Sequence, residues 1–138
     1  MLRNSMAVLY TSTDREGAKA ELSFHLGMLA PLPTKPMVLH ALQIETVKTI
    51  CIGRKDFSAL GIDETKFNDI GYDRTPLVGD AAAFLGCDGL IAPSARWNCD
   101  NLVVFCDNHD INLPVNVLSS DEFDWQVWAR QQGLISEE

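Results

Sequence analysis

Residues 6–12, MAVLYTS, form an apolar run rich in strand formers that passes without a linker into a helical pattern. This strand–helix junction constrains the fold more than any other stretch of the chain. Thr13 and Glu16 have the spacing of a capping box, so a helix is expected to start there. It should run to about Leu29, where PLPTKP removes amide donors and stops it.

Downstream, residues 37–52 are mostly apolar and β-branched and predict one or two strands, broken near Glu45–Thr46. Residues 53–75 carry weak signals, with helical turns expected at 57–60 and 64–68. Pro76 suits a first helical position, and PLVGDAAAFLG predicts a short Ala-rich helix closed by Gly86. Short strands are expected at 89–92, 102–106 and 115–118. A last helix should open on Ser120, with Asp121 and Glu122 in its first turn, and reach about Gln132 before Gly133. The strands are spaced too irregularly for a doubly wound parallel sheet, so the class is α+β.

At 138 residues the chain is expected to be one domain, 1–138, able to bury roughly two thirds of its unfolded surface without a metal or disulfide. A net charge of −8 with eleven scattered Lys and Arg argues against direct nucleic-acid binding, which needs a basic stripe. An anionic substrate would have to be held by a few specific arginines, and a basic protein partner would suit the acidic body. Cys51, Cys87, Cys99 and Cys106 include no close pair, the N-terminus has no export pattern, and no apolar run is long enough for a membrane span. The expectation is a cytoplasmic protein with reduced thiols and no membrane association. Cys99, Cys106 and His109 are conceivable zinc ligands, but the paired CxxC spacing is missing and no metal is expected.

Roughly 100° of rotation per residue puts Ala18, Leu22, Phe24, His25, Leu26, Met28 and Leu29 on one broad arc of the first helix. Glu16, Lys19, Ser23 and Gly27 fall opposite. Glu21 falls within the apolar arc, where an unpaired carboxylate costs several kcal/mol. One reading is a structural ion pair or hydrogen bond, with His25 or a distant Arg. The other is that this face lines a cleft in which the carboxylate steadies positive charge in a transition state.

Other residues are ambiguous on local grounds. His25 reads as a core histidine, and Tyr10 as a half-buried strand aromatic with its hydroxyl at the rim. In PSAR at 93–96, followed by Trp97 and Asn98, Pro-Ser and Asn98 could simply form turns. No G-x-S-x-G surrounds Ser94, so a working Ser94 would be a donor to an anion, with Arg96 either supplying charge or solvated. Gly79, Gly86 and Gly89 do not make a dinucleotide fingerprint.

Two blocks carry a resemblance to a known family. LYTSTDREGAKAEL at 9–22 supplies Tyr10 and Glu21, with Ala18 three residues before the Glu. DGLIAPSARWNCDNLVVF at 88–105 supplies Ser94 and, less securely, Asn101. Together they resemble RES domains, named for an Arg, a Glu and a Ser, over roughly residues 3–106. Relatives carry Arg-containing segments before the LY block. Nine residues precede Tyr10 here, so Arg3 stands for the nearer Arg and the chain reads as N-terminally shortened or starting late.

The resemblance implies an ADP-ribosyltransferase-like fold whose two small sheets form a cleft for NAD. It also implies an NAD-cleaving toxin of a type II toxin–antitoxin pair, breaking the nicotinamide–ribose bond as a glycohydrolase, phosphorylase or ADP-ribosyltransferase. NAD would be the substrate and no metal would be needed. By this analogy Glu21 is the catalytic carboxylate, and Tyr10 stacks on or orients the nicotinamide ribose. Ser94, with Arg3 or Arg96, fixes the phosphates, and Asn101 contributes to NAD binding. The implied partner is an antitoxin with a DNA-binding domain, and the reading leaves room for a homodimer. The alternatives are a degenerate RES-fold module that only binds NAD or its partner, and an unrelated hydrolase using Ser94 or a cysteine.

Overall fold

The computed structural model describes residues 7–67 and 74–136, and side chains except those of 74–76. Strand β1 (Val8–Ser12) leads into helix α1 (Arg15–Leu26). Strands β2 (Met37–Ile44) and β3 (Thr49–Cys51) follow, then a short turn and helix α2 (Phe57–Leu60). Helix α3 (Arg74–Phe84), strands β4 (Gly89–Pro93), β5 (Asp100–Phe105) and β6 (Val115–Phe123), and helix α4 (Trp125–Gln131) complete the order.

The expected α+β class holds, with two small sheets among the described residues. One has the order β1-β5-β4-β3 and the other pairs β2 with β6. In the first, β1/β5 and β5/β4 are antiparallel whereas β4/β3 is parallel. In the second, the partner of Ala41 is Ser119 but that of Leu42 is Val117, so Leu118 is an extra residue and β6 bulges there.

Apolar burial divides into two clusters. Ala82 and Ala83 of α3 pack with Cys87, Leu90 and Phe105 beneath the four-stranded sheet. Ala20 of α1 packs with Trp125, Trp128 and Ala129 of α4, with Trp97, Met37 and Phe123 around them. The second cluster clamps α1 against the C-terminal helix and thereby positions Glu21.

Several local expectations need correction. Asp14, not Thr13, caps α1: its carboxylate accepts from the amides of Glu16 and Gly17 at 2.8 and 3.3 Å. Thr13 instead donates to the Asp100 carbonyl at 3.0 Å, and Glu16 accepts from the Trp128 indole at 2.8 Å. The helix stops at Leu26 rather than Leu29.

The buried face of α1 is also not the expected arc. Gly17, Ala20 and Ser23 are buried while His25 is exposed. Small side chains allow close backbone approach, so the neighbours of the helix, not the size of its apolar residues, chose its inner face. Helix α3 begins at Arg74, two residues before Pro76, a shift its first turn tolerates because the missing amide is one a helix start leaves unpaired anyway. Strand β5 starts at Asp100 and ends at Phe105, earlier than expected at both ends.

The largest error is at the C-terminal side. Ser120, Asp121 and Glu122 belong to β6, paired with His40, Leu39 and Val38, and α4 opens instead on Asp124 as its cap. Acidic residues that mimic a first helical turn were captured by a strand ladder, a tertiary override of a local signal. The break between β2 and β3, helix α2, and the glycine stops hold, with Gly86 and Gly133 at φ of 84° and 73°. Residues 64–67 form the expected turn, and 68 lies outside the described residues.

Candidate active site

Capping by Asp14 sets the start of α1 beside the β1–β5 pair, and the helix rotation then aims Gly17, Glu21 and Phe24 at residues 94–101. A side chain at Gly17 would collide with the Cys99 sulfur and lie 2.6 Å from Ser12 Oγ, so only glycine lets α1 come this close. Glu21, one turn further on, is half-buried. Its Oε1 accepts from Ser94 Oγ at 2.9 Å and from Asn101 Nδ2 at 3.1 Å. It forms no ion pair among the described residues. Among the described residues the carboxylate is therefore held by two neutral donors and not by a structural salt link.

Ser94 is 1% exposed. Its oxygen accepts from the amides of Arg96 and Trp97 at 3.1 and 3.3 Å while its proton goes to Glu21. Its own amide donates to the Cys99 carbonyl at 2.8 Å, closing the 94–99 loop on itself. Asn101, not Asn98, is the asparagine that reaches Glu21, and its Oδ1 is buried with no hydrogen-bond partner among the described residues.

Arg96 lies over the Phe24 ring with its guanidinium carbon 3.4 Å from the centroid, so α1 also carries the platform for this cation. Tyr10 is 73% exposed. It is two residues from Ser12 along β1, and Ser12 pairs with Asn101, so Tyr10 shares the sheet face of Asn101 about 7 Å along the strand. The structure thus joins Glu21, Ser94 and Asn101 directly, with Arg96 on the same loop and Tyr10 one step down the sheet. Arg3 lies outside the described residues.

Two concavities flank this constellation. A groove of about 750 Å³ is lined by Gly53, Arg54 and residues 93–100, including Arg96. A second, of about 590 Å³, lies between the sheets, with Tyr10, Thr11, Ala18 and Leu102 on one side and Leu39 to Leu42 on the other.

Arg54 is a residue that sequence reasoning missed. It is brought to Ser94 because β3 runs parallel to β4, so that the chain leaving Cys51 emerges beside Pro93. Ligands favour the carboxyl ends of parallel strands, but nothing local in GRKDF announces the pairing. Arg54 also faces Glu64 at 3.5 Å.

Cys99 and His109 each make other contacts. Cys99 Sγ contacts Ser12 Oγ at 3.3 Å, and His109 Nε2 is 2.7 Å from the Glu45 carbonyl. Among the described residues no group of three His, Cys, Asp or Glu gathers to hold a metal. No helix among them is long and apolar enough to cross a membrane.

A family model for the RES domain matches residues 3–126, almost the whole chain. The chain belongs to the RES domain family. The match covers both blocks that carried the resemblance, and these blocks contain the Glu21 and Ser94 that are joined at 2.9 Å. A chain from the crystal structure of the M. tuberculosis MbcT–MbcA toxin–antitoxin complex has the same fold, with a TM-score of 0.76. That likeness covers 94% of this RES domain and 73% of the solved chain at 13% sequence identity. Comparison with curated proteins finds no match.

Proposed function

We propose that this RES domain is the toxin of a type II toxin–antitoxin pair and acts by cleaving the nicotinamide–ribose bond of NAD. The observation that carries this reading is the Glu21 carboxylate. It is half-buried, unpaired by any cation among the described residues, and held by Ser94 and Asn101.

Breaking a glycosidic C–N bond builds positive charge on the ribose, as in an oxocarbenium-like transition state. A fixed anion next to that charge lowers the barrier because it was oriented before the reaction began. An anion already neutralised by Arg or Lys would do this poorly. Tyr10, exposed on the same sheet face, supplies an aromatic surface and a hydroxyl for the nicotinamide ribose. Arg54 and Arg96 both line one groove, and in this reading they hold the pyrophosphate against the acidic body. Water, phosphate or a protein side chain can each accept the ADP-ribosyl group in such chemistry.

The partner in this reading is an antitoxin carrying a DNA-binding domain, in keeping with the toxin–antitoxin complex whose fold this chain shares. The RES domain itself does not bind DNA, a homodimer is compatible with it, and it works in the cytoplasm on NAD without a metal.

The test is purified protein incubated with NAD, with and without phosphate, and free nicotinamide measured. Release by the wild type and its loss in Glu21→Gln supports the proposal, as does a fall in cellular NAD on expression without a partner. Absence of release from a folded, NAD-binding wild type would point instead to a module that only binds.

A further inference from the structure

We infer that Ser94 and Asn101 are positioning residues that act on substrate only through Glu21, and that Glu21 Oε2 is the oxygen presented to the ribose. The inference deepens the NAD-cleavage reading and rests on it. It departs from the assignment of Ser94 to the phosphates and of Asn101 to the cofactor.

A serine hydroxyl has one proton to donate and two lone pairs to accept with. At Ser94 the amides of Arg96 and Trp97 can only donate, so both lone pairs face N–H groups and the proton is left for Glu21. With every bonding direction used and the residue 1% exposed, the Ser94 hydroxyl has nothing left to offer a phosphate or a ribose. The same saturation and burial prevent it from acting as a nucleophile. What it does offer is a relay: two backbone dipoles polarise the hydroxyl, and the hydroxyl grips the carboxylate.

Asn101 grips the same atom. Its amide donates to Oε1 from strand β5, while Ser94 donates to Oε1 from the loop after β4. Two elements thus converge on one oxygen, and none of the described residues donates to Oε2. A carboxylate clamped by one oxygen keeps its orientation and leaves the other to a ligand. A ribose hydroxyl is a fitting donor, and the developing positive charge sits beside it. The arrangement also accounts for α1 needing glycine at position 17. The helix must lie close enough for a side chain from its second turn to reach both donors.

Steady-state nicotinamide release by the full chain separates this from a substrate contact. Ser94→Ala is expected to lower kcat about tenfold or more while KM for NAD changes by less than about threefold, because a transition-state interaction is loosened and binding is not. Asn101→Asp is isosteric and sets an acceptor against Oε1, so it should do the same, and it stands in if Ser94→Ala fails to fold. Added to Glu21→Gln, Ser94→Ala should lower the residual rate by less than about twofold, since its route of action is already gone.

A raised KM at unchanged kcat would make Ser94 or Asn101 a substrate ligand and overturn the inference. So would full kcat in both variants, even with a lowered melting temperature. A wild type that releases no nicotinamide removes the enzymatic reading and this inference together. A wild type that turns over alongside fully active Ser94 and Asn101 variants removes this inference alone.

Discussion

Ser94 Oγ and Glu21 Oε1 stand 2.9 Å apart although 73 residues separate them in the chain. The contact exists because α1 and the loop after β4 meet at one corner of the four-stranded sheet, where Ser12 pairs with Asn101. It joins the two most ambiguous residues of the sequence into one unit.

Glu21→Gln should abolish most turnover without unfolding the protein. The glutamine carbonyl still accepts from Ser94 and Asn101, so stability should change by no more than about 1 kcal/mol. Loss of the anion from a transition state that needs it typically lowers rate by about 10²–10³. Nicotinamide release and a thermal melt on the same sample check both halves, and retained activity would remove Glu21 from the chemistry.

Gly17→Ala should destabilise, although alanine is the better helix former. The new methyl meets the Cys99 sulfur and Ser12 Oγ, and overpacking of this kind costs about 1–3 kcal/mol against about 1 kcal/mol of helix propensity regained. Adding Cys99→Ala should restore much of the loss. Urea unfolding of the single and double variants measures the coupling, and simple additivity would show that the helix does not press on that loop.

Asp88→Ala should be the most damaging change outside the site. The residue is 1% exposed, and its two carboxylate oxygens accept from the amides of Val47 and Lys48 at 2.9 and 2.8 Å. Truncation strands two amides at the entry to β3, a loss of about 3 kcal/mol. Chemical denaturation reads it directly, and a change below about 1 kcal/mol would mean that water replaces the carboxylate there.

Asp63 provides a pH marker on the surface. The side chain and amide of Thr65 both donate to it and hold its carboxyl below the ordinary value. A folded pKa lowered in this way contributes stability above the unfolded carboxylate value, and that contribution is lost as pH falls through the lowered one. Thr65→Val should move the Asp63 titration upward, as followed by carboxyl NMR. An unmoved titration would show that the hydroxyl is not the cause.

Most individual elements were legible in the sequence because their signals are local. The strand formers of MAVLYTS and the positive-φ glycines after α3 and α4 act within a few residues, whereas α1 ended at Leu26, short of the PLPTKP stop. The carboxylate at position 21 was visible as an anomaly, and the two blocks around it were enough to mark the family. Only the tertiary structure decided which way α1 faces, because Gly17, Ala20 and Ser23 carry no apolar signal and are buried by what approaches them. The same holds for the strand that absorbed Ser120 to Glu122, since ladder pairing with β2 outweighs a local helix-start pattern. It holds too for Arg54, which reaches the groove through a parallel pairing that neither strand announces. Local propensity is written in neighbouring residues, whereas a hydrogen bond between positions 21 and 94 depends on how every intervening element packs.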